Sequence, residues 1–195
     1  MLSYNFLLRS TTILLLFAWC FYWMIMERKA NREKPRTKTV TLKSKLKRYF
    51  YSIGLGSLIL VQLVGFTILP FPHNPILQTV GFFLVLLGKG VSFTARITLG
   101  TNWTDSSEYQ IKKKHDLITT GIYHYIRHPI YLGITLAATG AELVAQSYLF
   151  LPLFILLSLM NYRQGRLEEK LLVNHFGKDY EKYMKQSKML IPFVV

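Results

Sequence analysis

Two polar stretches of the chain hold nearly all the side chains that could do chemistry. The first, Gly100 to Tyr131, carries His115, His124, Arg127 and His128 with Trp103, Tyr123, Tyr125 and Tyr131; the second, Arg163 to Tyr183, carries Arg163, Arg166, Glu168 and Glu169. Imidazoles, guanidinium groups and carboxylates interleaved with aromatic rings suit a pocket for a charged, aromatic small molecule. The same mixture also collects at any membrane interface, and Pro129 would break the chain ahead of a helix whatever the function. Metal chemistry is not expected, because no HExxH pair is present and the single cysteine, Cys20, lies in an apolar run where it reads as a small buried hydrophobe.

The elements that must position these residues are apolar. Of 195 residues 51% are hydrophobic, more than one soluble domain of this length can bury, so a membrane must share the burden. Leu7 to Met26 reads as a first retained spanning helix, since basic charge follows it instead of preceding it as in a signal peptide. Tyr49 to Leu69 is a second, closed by Pro70, Pro72 and Pro75, and Ile76 to Leu99 a third, interrupted by Lys89 and Arg96. Ile130 to Tyr162 is too long for one crossing and suits a hairpin of two short helices turning near Gln146 to Tyr148, with Glu142 near the turn and reaching the interface. Arg163 to Val195 reads as an amphipathic, charge-rich tail, in which Phe176, Tyr180 and Tyr183 form a packing stripe.

The net charge of +14 reports topology here rather than nucleic-acid binding. Ten basic residues lie in 27–48, four in 100–129 and seven in 163–195, whereas the two connecting loops on the opposite side have none. The positive-inside rule then gives five crossings, an outside N-terminus and a cytoplasmic C-terminus. The expected architecture is all-α: a polytopic membrane protein of about five transmembrane helices with a cofactor pocket at the cytoplasmic face. Residues 1–98 supply helices one to three with the basic loop 27–48, and residues 99–195 supply the hairpin, the tail helix and the reactive side chains.

Several of these segments together carry a resemblance. HDLITTGIYHYIRHPIYLG (His115 to Gly133), then RLEEKLL and FGKDYEKY (Phe176 to Tyr183), preceded by LGTNWT (Leu99 to Thr104), are similar in order and spacing to the isoprenylcysteine carboxyl methyltransferase family. The resemblance covers about the C-terminal half and implies a membrane-embedded, S-adenosylmethionine-dependent methyltransferase without a Rossmann fold, which agrees with the absence of GxGxxG. It implies that His115, Leu117, Ile118, Tyr123, His128, Pro129, Tyr131 and Glu168 bind the cofactor, with Glu108 a further candidate. It implies a lipid-like or prenylated methyl acceptor, such as a carboxylate, near Tyr131, Arg163 and Glu168 as the catalytic set; no nucleic-acid partner and no metal are expected. His124 and Arg127 are read as interfacial, and Arg166 as a surface partner of Glu169.

One position departs from the family pattern, which places an Arg four residues before the Glu where this chain has Gln164. Arg163 is one residue early, roughly 140° round an ideal helix from Glu168. Either the helix is irregular at Gly165 and turns Arg163 inward, or the substrate differs. Two other functions stay open on sequence: an NADPH-dependent membrane reductase of the sterol-reductase type, for which Lys112 to Lys114 would hold a phosphate, and a nonenzymatic membrane scaffold.

Overall fold

The structure, a computed structural model, describes residues 3–33, 42–103 and 116–191. Six α-helices account for most of them: α1 (Tyr4–Glu33), α2 (Leu42–Val64), α3 (Pro75–Leu99), α4 (Pro129–Val144), α5 (Phe150–Phe176) and α6 (Lys178–Gln186), with 3-10 turns at Gly100–Asn102 and Gly121–His124. The described residues form no β-strand beyond two isolated bridges.

Local chemistry fixes where the helices begin and end. α3 starts with Pro75 in its first turn and with Asn74 as cap, whose Oδ1 accepts from the Leu77 N–H at 3.0 Å. α4 starts at Pro129, which keeps His128 out of helical geometry, at φ −125° and ψ 57°, just ahead of the helix. α5 ends at Gly177, whose φ of +56° suits only a residue without Cβ and whose N–H returns to the Val173 carbonyl at 2.8 Å.

The centre of the bundle is a glycine seam between antiparallel α3 and α4. A methyl group on Gly81 would lie 2.6 Å from Leu143 Cβ, and one on Gly140 would lie 2.5 Å from the Gly81 carbonyl oxygen. Gly88 meets Gly133 and Ala137 in the same way, so the two backbones touch with no side chain between them. Around the seam, Ile59 and Leu63 of α2, Leu8 of α1, Val85 of α3, Ala141 and Val144 of α4 and Leu157 of α5 make one apolar core.

Outward from this core the helices expose large apolar side chains, among them Leu14, Phe17 and Phe21 on α1, Ile76, Phe83 and Leu87 on α3, and Leu151, Ile155 and Leu159 on α5. Such a surface belongs in a bilayer, since a soluble fold rarely leaves so large an apolar patch open. Two helices, over Tyr4–Ala30 and Pro75–Asn102, are long and apolar enough to cross a membrane, and in both most of the apolar window faces outward rather than into the core. Cys20 shares this outward surface, which corrects its reading as a buried hydrophobe.

Two further expectations change. The hairpin turns at residues 145–149 as read from sequence, but its second arm is not short: α5 runs from the apolar surface straight through Gly165 to Phe176, about 40 Å as one rod. Glu142 turns inward. It is fully buried, and its carboxylate accepts from Gln62 Nε2 at 2.8 and 2.7 Å. Around it Arg9 donates to the carbonyls of Gln62 (3.1 Å) and Ala145 (2.8 Å), and Gln78 donates to the Val144 carbonyl (2.9 Å) and to Asn5 (2.6 Å). This polar knot ties α1, α2, α3 and the α4–α5 turn together at one end of the bundle. At the same end, residues 69–71 pair with 146–148 through the Phe71 N–H to Gln146 and the Tyr148 N–H to Leu69.

Candidate functional site

The other end of the bundle gathers the reactive side chains, and it begins with backbone. After α6 the chain turns back along the segment before α4: the Lys188 N–H donates to the Tyr125 carbonyl (3.0 Å), the Arg127 N–H to Lys188 (2.8 Å) and the His128 N–H to Met189 (3.0 Å). Gly165 of α5 presses onto this pairing, for a Cβ there would lie 2.6 Å from Met189 Cε and 3.1 Å from His128 Cδ2. Glycine at 165 is thus what lets α5 approach closely enough to present Glu168 and Glu169 to His128.

The side chains then form a connected row. The Tyr131 hydroxyl donates to Glu168 Oε1 in a short hydrogen bond, and the Tyr131 ring stacks on His128 with centroids 5.4 Å apart and 14° between planes. His128 lies between two carboxylates, with Nδ1 3.5 Å from Glu168 Oε2 and Nε2 3.5 Å from Glu169 Oε1. Arg127 Nε donates to Glu169 Oε1 at 2.6 Å, and its Nη1 donates to the carbonyls of Met184 (3.2 Å) and Ser187. Arg127 and Glu169 are both buried, at 8% and 3% side-chain exposure, whereas the Glu168 side chain keeps 24%. The accessible carboxylate of the row is Glu168.

These groups lie ahead of α4 or beyond the apolar part of α5. Burial by itself would lower the His128 pKa, but Glu168 and Glu169 outweigh it and hold the imidazole above its ordinary 6.5. Burial would raise Glu169, and the hydrogen bonds and charges of His128 and Arg127 reverse this, leaving it below its ordinary 4.5. Burial raises the phenols of Tyr123 and Tyr180 and pushes Tyr183 up to about 12, so all three are neutral hydrogen-bonding groups.

A second layer shapes the wall. Tyr123 is buried, and its carbonyl accepts from the Tyr183 hydroxyl at 2.6 Å. Leu117 and Ile118 are half-buried ahead of it. Asn102 Oδ1 accepts from the Asp116 N–H at 3.1 Å. Arg96, fully buried, donates to the carbonyls of Gly100 (2.6 Å) and Met26 (2.9 Å), and its guanidinium carbon lies 4.8 Å from the Trp103 ring and 5.7 Å from that of Trp23.

Of the residues singled out from sequence, His128, Pro129, Tyr131 and Glu168 are brought together, while Tyr123 is buried and Leu117 and Ile118 are half-buried on the segment before it. Arg163 is exposed on α5, which is helical throughout and does not turn it inward at Gly165. His115, Glu108 and Lys112 to Lys114 lie outside the described residues. Arg127, read as interfacial, is instead an internal partner of Glu169. Glu169, read as the surface partner of Arg166, is buried; Arg166 Nη1 reaches only to 3.7 Å from its Oε2. Tyr180 and Tyr183 are buried against each other with centroids 5.6 Å apart, as the packing stripe requires.

Fold and site together define an integral membrane helical bundle with a polar cluster of acids, imidazole and phenols at one end. Residues 76–179, more than half of the chain, match the sequence model described as phospholipid methyltransferase, and the chain belongs to that family. Among curated relatives, it is 30% identical over 119 residues to a protein-S-isoprenylcysteine O-methyltransferase of Tribolium castaneum, covering 60% of this chain and 42% of that one. It is 32% identical to the protein of the same name from Schizosaccharomyces pombe (60% and 50% covered) and to that of Saccharomyces cerevisiae (58% and 48%). The chain spans about half the length of these relatives. Its fold resembles the solved structure of a eukaryotic intramembrane Ras methyltransferase, isoprenylcysteine carboxyl methyltransferase, with a TM-score of 0.56 over 80% of this chain and 55% of the other, at 23% identity.

Proposed function

We propose that the chain is a membrane-embedded methyltransferase that moves a methyl group from S-adenosylmethionine to the carboxylate of a lipid-like, prenylated acceptor. The observation that carries this is the Tyr131–Glu168–His128 cluster, lying inside the segment that matches the family. The cluster fits the methyl donor: Glu168 keeps an accessible carboxylate for the ammonium group of an amino-acid end, and the Tyr131 hydroxyl holds that carboxylate in place. His115, Leu117, Ile118 and Tyr123 would hold the adenosine end, Pro129 fixes the backbone that presents His128 and Tyr131, and Glu108 completes the donor-binding set.

S-adenosylmethionine supplies an electrophilic methyl group. A carboxylate acceptor is already nucleophilic at neutral pH, so this chain has no proton to remove and its work is alignment and exclusion of water. Tyr131 fixes the rotamer of Glu168. Arg163, exposed where α5 leaves its apolar surface, would draw the acceptor carboxylate from the interface. The names of the curated relatives support the prenylcysteine class of acceptor.

In this proposal the chain crosses the membrane five times, its N-terminus outside and its C-terminus in the cytosol, so that donor enters from water and acceptor from the bilayer. Residues 1–98 serve as the membrane frame and residues 99–195 carry the reaction. The positive charge of the segments on the proposed inner side supports this orientation.

The test is equilibrium binding of S-adenosylmethionine and, separately, NADPH to the detergent-purified protein, followed by transfer of a labelled methyl group to an S-prenylcysteine carboxylate or to an aminophospholipid. Binding of S-adenosylmethionine that is lost in Glu168→Ala, with label on the prenylcysteine, supports the reading. Label on the amine of the phospholipid would overturn the acceptor class, NADPH binding alone would make the protein a reductase, and binding of neither would leave a scaffold.

A further inference from the structure

Two buried charges of the site, Arg127 and Glu169, lie behind His128 and away from its accessible carboxylate partner Glu168. Arg127 spends its donors on Glu169 Oε1 and on the carbonyls of Met184 and Ser187, at the end of α6 and just beyond it. Glu169 faces Arg127 on one side and His128 Nε2 on the other. His128 in turn faces Glu168, the accessible carboxylate. The order Arg127, Glu169, His128, Glu168, Tyr131 alternates positive and negative charge up to the final phenol, and every member but Glu168 and Tyr131 is buried beneath the site.

We propose that Arg127 and Glu169 are positioning residues: paired with each other, they fix the His128 ring between two carboxylates and thereby set the orientation and charge of Glu168 at the donor-binding surface. The proposal rests on the reading of Glu168 as the donor-binding carboxylate. Its physical basis is that a buried Glu beside His128 would be costly without Arg127, and that a buried His128 would lose its proton without Glu169. Arg127 also couples the row to α6, since the carbonyls it holds belong to the segment that returns to pair with residues 125–128.

The charged and titratable groups facing His128 are Arg127 on its own segment, Tyr131 on α4, and Glu168 and Glu169 on α5, with Tyr180 and Tyr183 on α6 acting on Glu169 from behind. Removing Glu169's charge withdraws support from the imidazolium, so the pKa of His128 falls. Removing Arg127's charge leaves Glu169 with His128 as its one buried cationic partner and only the exposed Arg166 at 3.7 Å on its other oxygen, so the pKa of His128 rises. Damage to packing alone would move both variants in one direction.

The experiment is to titrate the His128 ring by NMR in histidine-labelled, detergent-purified protein without added ligand, with His128→Gln to assign the signal. Glu169→Gln should lower the pKa and Arg127→Met should raise it, while Lys178→Ala, exposed at the start of α6, should leave it in place. In parallel, S-adenosylmethionine affinity should fall about ten-fold or more in Glu169→Gln, the loss expected for one buried charge-assisted contact, and its decline with rising pH should begin at lower pH than in the unaltered protein. Shifts of the same sign in both variants, or no shift in either, would overturn the positioning role. If the unaltered protein binds no S-adenosylmethionine, the function proposed above fails, while the opposed shifts still decide whether the row works as described.

Discussion

At the scale of single residues, the site is a short chain of contacts in which only Glu168 faces outward. Replacing Tyr131 by Phe removes the hydroxyl that holds Glu168 and, on the proposed function, should weaken S-adenosylmethionine binding by about ten-fold, as loss of a hydrogen bond to a charged group does, measured by calorimetric titration. The same row makes stability depend on pH on both sides. Glu169 is depressed below 4.5, so its contribution is present above that value and disappears as pH falls through its lower folded pKa. His128 is raised above 6.5, so its contribution is complete below 6.5 and is lost as pH rises through the folded pKa. Thermal unfolding in detergent should therefore show greatest stability between these limits, and Glu169→Gln should flatten the acid side. His128, Tyr131 and Glu168 were legible in the sequence because their types and order carried a family pattern. Arg127 and Glu169 were not, since their pairing spans 42 residues and burial of a charge leaves no mark on local spacing.

At the scale of elements, the α3–α4 seam sets how far apart everything else sits. Gly140→Val should cost about 1–3 kcal/mol by overpacking, whereas Gly90→Ala, with nothing within 4 Å of its position, should leave stability unchanged or slightly raised; chemical unfolding of the two variants checks this. The sequence marked the starts of α3 and α4 clearly, through Asn74–Pro75 and Pro129, because capping and proline geometry are local. It marked α5 poorly. A change from apolar to charged residues near Tyr162 looked like the end of one helix and the start of another, but composition records only the change of surroundings, and the backbone hydrogen bonds run on without a break. The glycine seam was also missed, because its spacing of seven residues in both helices lacks the shorter repeat that usually announces close helix contact.

At the scale of the whole molecule, the two ends of the bundle differ in purpose. The end with Arg9, Gln62, Gln78 and Glu142 is closed and, but for Gln78 Oε1, hydrogen-bonded, and the end with His128 and Glu168 is partly open. Glu142→Leu should therefore destabilise the fold by about 1–3 kcal/mol through the unpaired Gln62 amide, while Glu142→Gln, which keeps an acceptor, should cost less; neither should change His128's titration. The all-helical membrane character was plain from the apolar content and the placement of charge. The knot was not, because Gln62, Gln78 and Glu142 lie far apart in the chain, in three different apolar runs, and only the packing of four helices brings them together.

The pairing of residues 125–128 with 188–189 also gives the site a place in the order of synthesis. Its two halves are separated by the whole α4–α5 hairpin, so they cannot meet until both arms have been placed in the bilayer and Met189 has left the ribosome. Until then Glu168 and His128 have no fixed relation, and a nascent chain stalled before Lys188 would hold its helices but no site. Acquisition of the site should thus be the last folding event, visible as protection of the 125–128 amides from exchange only after residue 189 is free.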